Sequence, residues 1–270
     1  MLDLILLFIA GLIGGILNSI AGGGSFVTFP ALVFVGVPPL IANATNTFAS
    51  CGGYLSGAYA FKDKLKNHPR EIFLIVICSL FGGSLGAYLL LNTPEVLFQN
   101  TIPWLLLFAT LLFIYGAKAN LLLVSFAQNN RYASKLRVLL LCVSLFAICI
   151  YGGFFNAGLG IIVLSFLTLC GFADINVMNG IKLVVSSAVS LIAISLFIIN
   201  DAIAWLEGIY VLFGTLLGGY FSAQVSMKVP PQTVRKLVML MSIIITLYFF
   251  YITYGELLYK NESLISAIYT

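Results

Sequence analysis

The chain has 270 residues, of which 61% are hydrophobic and 8% charged, with a formal net charge of +4. A soluble domain carries about 25% charged residues, so too little polarity is present to clothe a water-facing surface. The positive charge is not gathered into a basic patch with interleaved aromatics, which argues against a nucleic-acid partner and leaves the lipid bilayer as the solvent.

Apolar runs of about 20 residues match the hydrocarbon core of a membrane. In chain order, hydropathy predicts segments at 2–21, 25–37, 39–61, 71–91 and 96–117. A polar stretch at 127–135 follows, then segments at 136–156, 158–171, 175–199, 203–227 and 234–254. The first segment has neither a basic n-region nor a small-residue cleavage pattern, and is expected to stay as a helix. The segments at 25–37 and 158–171 are too short to cross comfortably, and each follows a glycine-rich break. They are expected to be half-helices or short steep crossings. The expected layout is a first membrane repeat over 1–118, a cytoplasmic linker over 119–135, a second repeat over 136–255 and a C-terminal tail over 256–270.

The two halves resemble each other. Gly14-Gly15-Ile16-Leu17-Asn18 matches Gly152-Gly153-Phe154-Phe155-Asn156. Each is followed by a glycine break, Gly22-Gly23-Gly24 or Gly158-Leu159-Gly160, and then by an apolar run ending at Gly36 or Gly171. Further on, Phe81-Gly82-x-x-x-Gly86-x-Tyr88 matches Phe213-Gly214-x-x-x-Gly218-x-Tyr220. That spacing lets helix backbones approach closely in lipid.

Loop charges set the expected orientation, because cytoplasmic loops collect Lys and Arg. The first-half loop holds Lys62, Lys64, Lys66 and Arg70, whereas its counterpart at 200–207 holds Asp201 and Glu207 with no basic residue. The next pair inverts: 92–95 has no Lys or Arg, and 227–236 has Lys228, Arg235 and Lys236. The expected fold is therefore an all-α membrane protein of two inverted-topology repeats. Each has about five crossing elements, both termini lie outside, and the broken short helices meet near the midplane. Inverted repeats with broken helices are a transporter design.

Several residues are candidates for a substrate site. A chain interrupted in lipid exposes backbone groups that need partners. A helix starting near Ser25 would point its positive end into the gap left by Gly22, Gly23 and Gly24, where an anion fits. Ser25 is expected to cap that helix. The second break offers Asn156, Gly158 and Gly160. The helix after each break carries a polar stripe: Asn43, Asn46, Thr47, Ser50 and Tyr54 in one half, and Asn179, Lys182, Ser186 and Ser190 in the other. Three- and four-residue spacing puts each stripe on one face. Lys182 lies inside an apolar helix with no acidic residue at matching depth, so its partner is expected to arrive as substrate. In this arrangement glycine amides coordinate oxygens, Asn18 and Asn156 orient the ligand, and Lys182 neutralises it.

The five cysteines all lie in apolar runs without metal or redox spacing. No Walker loop, H-E-x-x-H or Ser/His/Asp pattern is present. No enzyme activity, cofactor or metal is therefore expected. The expected partners are a small anionic substrate, the bilayer and a coupling proton or cation, with the oligomeric state open.

The stretch Asn18-Ser-Ile-Ala-Gly-Gly-Gly-Ser-Phe-Val-Thr-Phe-Pro-Ala-Leu, followed by Ala42-Asn-Ala-Thr-Asn46, resembles the opening of the sulfite exporter TauE/SafE family. The second half agrees through Tyr151-Gly-Gly-Phe-Phe-Asn-Ala-Gly-Leu-Gly160, Leu169-Cys-Gly-Phe172, Lys182 and Leu216-Leu-Gly-Gly219. Thr47 stands where some relatives have a second lysine. The resemblance covers nearly the whole chain. It implies secondary transport of sulfite, thiosulfate, sulfoacetate and other organosulfonates across the plasma membrane of a prokaryote-like cell. An anion channel, or a transporter of another small organic anion, fits the same residues.

Overall fold

In lipid the backbone has no water to bond, so each segment satisfies its own amides as a helix. The structure, a computed structural model, describes residues 1–20, 22–66, 69–128, 134–228 and 231–268. Side chains within 116–138, 223–232 and 256–268, and that of residue 235, are not described. Every element is a helix: α1 Leu2–Ile20, α2 Ser25–Phe34, α3 Pro39–Ala60, α4 Lys62–Leu65, α5 Pro69–Leu91 and α6 Glu95–Gln128 in the first part. The second part has α7 Ser134–Phe154, α8 Leu159–Leu169, α9 Ile175–Ile199, α10 Trp205–Lys228 and α11 Pro231–Ile268. α6 and α7 extend into the expected linker, whose residues 129–133 lie outside the described residues. So do residues 67 and 68 of the first basic loop and residues 229 and 230 of the second. Among the described residues, five helical stretches are long and apolar enough to cross a membrane: Leu2–Ile20, Pro69–Leu91, Glu95–Tyr115, Ile175–Ile199 and Lys236–Gly255. This is a multi-pass membrane protein.

The two short helices are built alike. α2 has 10 residues and α8 has 11, about 15–17 Å at helical rise and half the ~30 Å hydrocarbon core. Gly36 and Gly171 both follow these helices at φ 94°. In each case the glycine N–H bonds back at 3.0 Å, to the carbonyl of Val33 or of Thr168. The next N–H reaches five residues back at 3.1 Å, from Val37 to Leu32 and from Phe172 to Leu167. A side chain at that φ would be strained, so glycine closes both helices.

Packing between long helices repeats across the halves. α1 lies along α10, as α7 lies along α5; α3 packs on α10, as α9 packs on α5. α3 also meets α9, and α6 meets α11. Glycines make the seams. Gly11 faces Val211 and Gly214, while Gly15 faces Thr215 and Gly219, so α1 and α10 run in the same direction. Gly82 faces Phe146 and Cys149, and Gly86 faces Ile150 and Gly153, so α5 and α7 are parallel too. Glycines repeated in the sequence thus occupy equivalent seams. Each half lends its third long helix to the first helix of the other, and the two halves are interlocked.

Charge separates the two ends of the bundle. Glu95, Asp201 and Glu207 line recesses where the ends of α2, α5 and α9 meet the starts of α3, α6 and α10. At the other end Gly180, near the start of α9, packs against Phe61 and Leu65, which puts Lys62–Lys66 beside it. There Lys66 pairs with Asp63 at 2.7 Å and holds that exposed carboxylate below its usual pKa range.

Candidate functional site

Each glycine break is closed by its own set of bonds. At the first, Gly22 takes φ 81° and its N–H bonds to the carbonyls of Leu17 (3.0 Å) and Asn18 (3.2 Å), ending α1. The Asn18 side chain reaches across the gap and accepts the Gly24 N–H at 2.7 Å. The residue capping α2 is Gly24, and no side chain caps the helix. Ser25 is instead the first helical residue, so its expected capping role is not realised. Two of the amides expected to face a ligand, those of Gly22 and Gly24, already have protein partners. The bare face of Gly23 points at the Val238 side chain of α11, which makes it a packing glycine.

At the second break the chain turns through Asn156 at φ 55° and Gly158 at φ 78°. Tyr151 donates its hydroxyl to the Ala157 carbonyl at 2.7 Å. Asn43, from α3, donates Nδ2 to the Phe154 carbonyl at 2.8 Å, satisfying the open end of α7. Asn156 accepts from the Tyr54 hydroxyl at 3.3 Å and donates to Ser190 Oγ at 3.4 Å. Gly158 abuts Ala109 of α6, where an added Cβ would stand 2.9 Å from the alanine methyl.

The two breaks meet. A Cβ built on Gly22 would lie 3.4 Å from Gly160 Cα, and one built on Gly160 would lie 3.3 Å from Gly22 Cα. That second Cβ would also stand 3.2 Å from Lys182 Cδ. The lysine stem therefore runs over the junction, and any side chain at Gly160 would press on it.

Lys182 is 1% exposed. Its ammonium donates to Asn179 Oδ1 at 3.1 Å, within its own helix, and to the Asn18 carbonyl at 3.5 Å. No acidic side chain pairs with it among the described residues. Elsewhere in the core, the buried polar atoms that make no hydrogen bond among the described residues are Asn18 Nδ2, Ser19 Oγ, Ser25 Oγ, Asn43 Oδ1, Asn46 Nδ2 and Ser187 Oγ. The Oδ1 of Asn46 is occupied, accepting from Thr28 Oγ1 and from Ser50 Oγ at 3.4 Å. The Tyr54 hydroxyl stands beside Asn18, Ser25 and Ser50. Each unpaired buried polar group costs free energy, on the order of 1–3 kcal/mol. A buried cation without an anion costs more. What the junction offers chemically is one buried ammonium, bonded to Asn18 and Asn179, with no described carboxylate to neutralise it.

Thus Asn18, Gly22, Gly24, Ser25, Asn46, Asn156, Gly160, Asn179 and Lys182 come together. Gly23 and Gly158 pack against other helices. Asn43 ties down α7, and Thr47 turns its hydroxyl onto the Asn43 carbonyl of its own helix at 3.0 Å. Thr28, Ser19 and Tyr151 were not among the sequence candidates. Thr28 and Tyr151 sit four residues from Gly24 and six from Ala157, inside apolar runs. Their polarity there is the only signal that could have found them. Tyr54 lay on the predicted stripe, and its position between the two breaks is what makes it part of the site.

The family profile for sulfite exporter TauE/SafE proteins matches residues 7–249. The chain belongs to this family. A TauE/SafE-matched span of that extent covers both breaks, both polar stripes and all the helix seams. The chain is 31% identical over 250 residues to a "Probable membrane transporter protein" of Haemophilus influenzae, covering 90% of this chain and 92% of that one. It is 25% identical over 251 residues to the "Probable membrane transporter protein YfcA" of Escherichia coli, covering 93% and 90%. No solved structure matches it. This TauE/SafE member is a membrane transporter and not an enzyme.

Proposed function

We propose that this transporter carries a small sulfur-containing oxyanion, sulfite-like or sulfonate-like, by secondary transport across the plasma membrane. The observation that carries the proposal is Lys182. It is buried in the bundle, unpaired by any described carboxylate, and its stem lies against Gly160 where the two glycine breaks touch. A protein keeps such a charge in lipid when it has a use for it. The sulfite exporter description of the family supports the sulfur oxyanion.

The helix arrangement supports alternating access. Parallel pairing of α1 with α10 and of α5 with α7 is what two inverted repeats require. In that topology α1 and α10 run inward while α5 and α7 run outward. Acidic side chains then lie at the outer end and the Lys62–Lys66 loop at the cytoplasmic end, as the loop-charge rule demands. Each break is held by residues of both halves, so rocking one half against the other would open the junction to either side.

The test is uptake of radiolabelled sulfite, thiosulfate and methanesulfonate into proteoliposomes containing the purified protein. Saturable uptake of at least one, above protein-free liposomes, is expected. Uptake of none of them would refute the proposal, and unsaturable flux at channel rates would replace the carrier with a pore.

A further inference from the structure

We infer that the site selects its ligand by charge, accepting monoanions and rejecting dianions; this rests on the anion-site reading of Lys182. The charge inventory of the core is short. Lys182 is the sole buried charged side chain among the described residues. The equivalent position in the first half is Asn46: each stands eight residues after the residue preceding its helix, Pro38 for α3 and Asp174 for α9. One half thus supplies a cation and the other an uncharged amide.

The ammonium has three N–H bonds, and the described partners, Asn179 Oδ1 and the Asn18 carbonyl, use two. One remains for a ligand. The polar residues bonded to that ammonium, Asn18 and Asn179, are neutral. They can bond oxygen atoms but cannot cancel a charge. A monoanion on Lys182 makes a neutral complex. A dianion leaves one full negative charge in a core with no second buried cation among the described residues, and desolvation of that charge is not repaid. A single missing counter-charge at this depth weakens binding on the order of a hundredfold or more. The favoured ligand class is therefore a hydrogensulfite-like anion or an alkanesulfonate whose other end is uncharged. Sulfate and disulfonates are disfavoured although their oxygens present the same hydrogen-bonding surface.

The experiment measures thermal stabilisation of the purified protein at constant ionic strength in a gluconate background. The probes are methanesulfonate, sulfate and 1,2-ethanedisulfonate, whose charges are fixed near neutral pH. The same series on Lys182→Met subtracts general salt effects on stability, which sulfate shows with many proteins. Saturable stabilisation by methanesulfonate, at least ~100-fold weaker for both dianions and absent in Lys182→Met, is the expected result. Equal stabilisation by methanesulfonate and a dianion, lost in Lys182→Met, would overturn the charge rule while leaving the anion site standing. Stabilisation by none of them, or stabilisation unchanged in Lys182→Met, would overturn the site assignment and the charge rule together.

Discussion

Replacing Lys182 by methionine separates a binding lysine from a merely tolerated one. Methionine matches the lysine stem in shape, so the packing over Gly160 is kept. Removing a charge from within a membrane-spanning helix relieves at most about 2.5–3.5 kcal/mol on insertion scales. Against this, Asn179 Oδ1 and the Asn18 carbonyl lose their donor, at about 1 kcal/mol each. The net gain for the ligand-free protein is at most about 1 kcal/mol, or roughly 2–4 °C in melting temperature for a chain of this size. Binding moves the other way. An anion entering the site would lose its only counter-charge, a loss of about 3–5 kcal/mol, at least a hundredfold in affinity. The assay is a melting curve of detergent-purified wild type and variant, with and without the transported anion, beside proteoliposome uptake. A variant slightly more stable when empty, unresponsive to ligand and inactive in uptake is expected. If it transports normally and is stabilised as fully as wild type, Lys182 has only a packing role and the counter-charge reasoning is wrong.

The remaining predictions address topology, seams and the junction. In a cysteine-free background, Lys66→Cys and Asn200→Cys are expected to label from opposite faces of the membrane; labelling from one face would remove the inverted repeat. Gly218→Val puts a branched side chain against the backbone of Leu12 and Ile16 and is expected to cost about 1–3 kcal/mol, read as a lower melting temperature. Gly160→Ala adds one methyl between Gly22 and Lys182, at 3.2–3.3 Å from both; weakened anion binding with near-normal melting is expected, and unchanged binding would mean the lysine stem is free to move away. Asn46→Lys places a second cation at the position equivalent to Lys182 and is expected to bring measurable sulfate stabilisation, checked by the same titration.

Local pattern in the chain was enough for the helices, for the two half-length segments and for the oddity of Lys182. Each of these is a property of neighbours along the sequence: run length, glycine spacing, or a charge in an apolar run. Hydropathy could also show that α3 and α9 carry polar stripes, because helical period projects them onto one face. What it could not show is where a glycine's missing side chain points. Gly22, Gly23 and Gly24 are identical in sequence terms, yet Gly22 meets the other break, Gly23 meets Val238, and Gly24 bonds to Asn18. Nor could it show that Asn43 spends its amide on the Phe154 carbonyl, 111 residues away, while Asn46 keeps Nδ2 free. Buried polar groups are allotted partners by the packing of distant helices, and which are left over is decided only when those helices meet. Which polar groups are left over therefore belongs to the tertiary structure rather than to any motif.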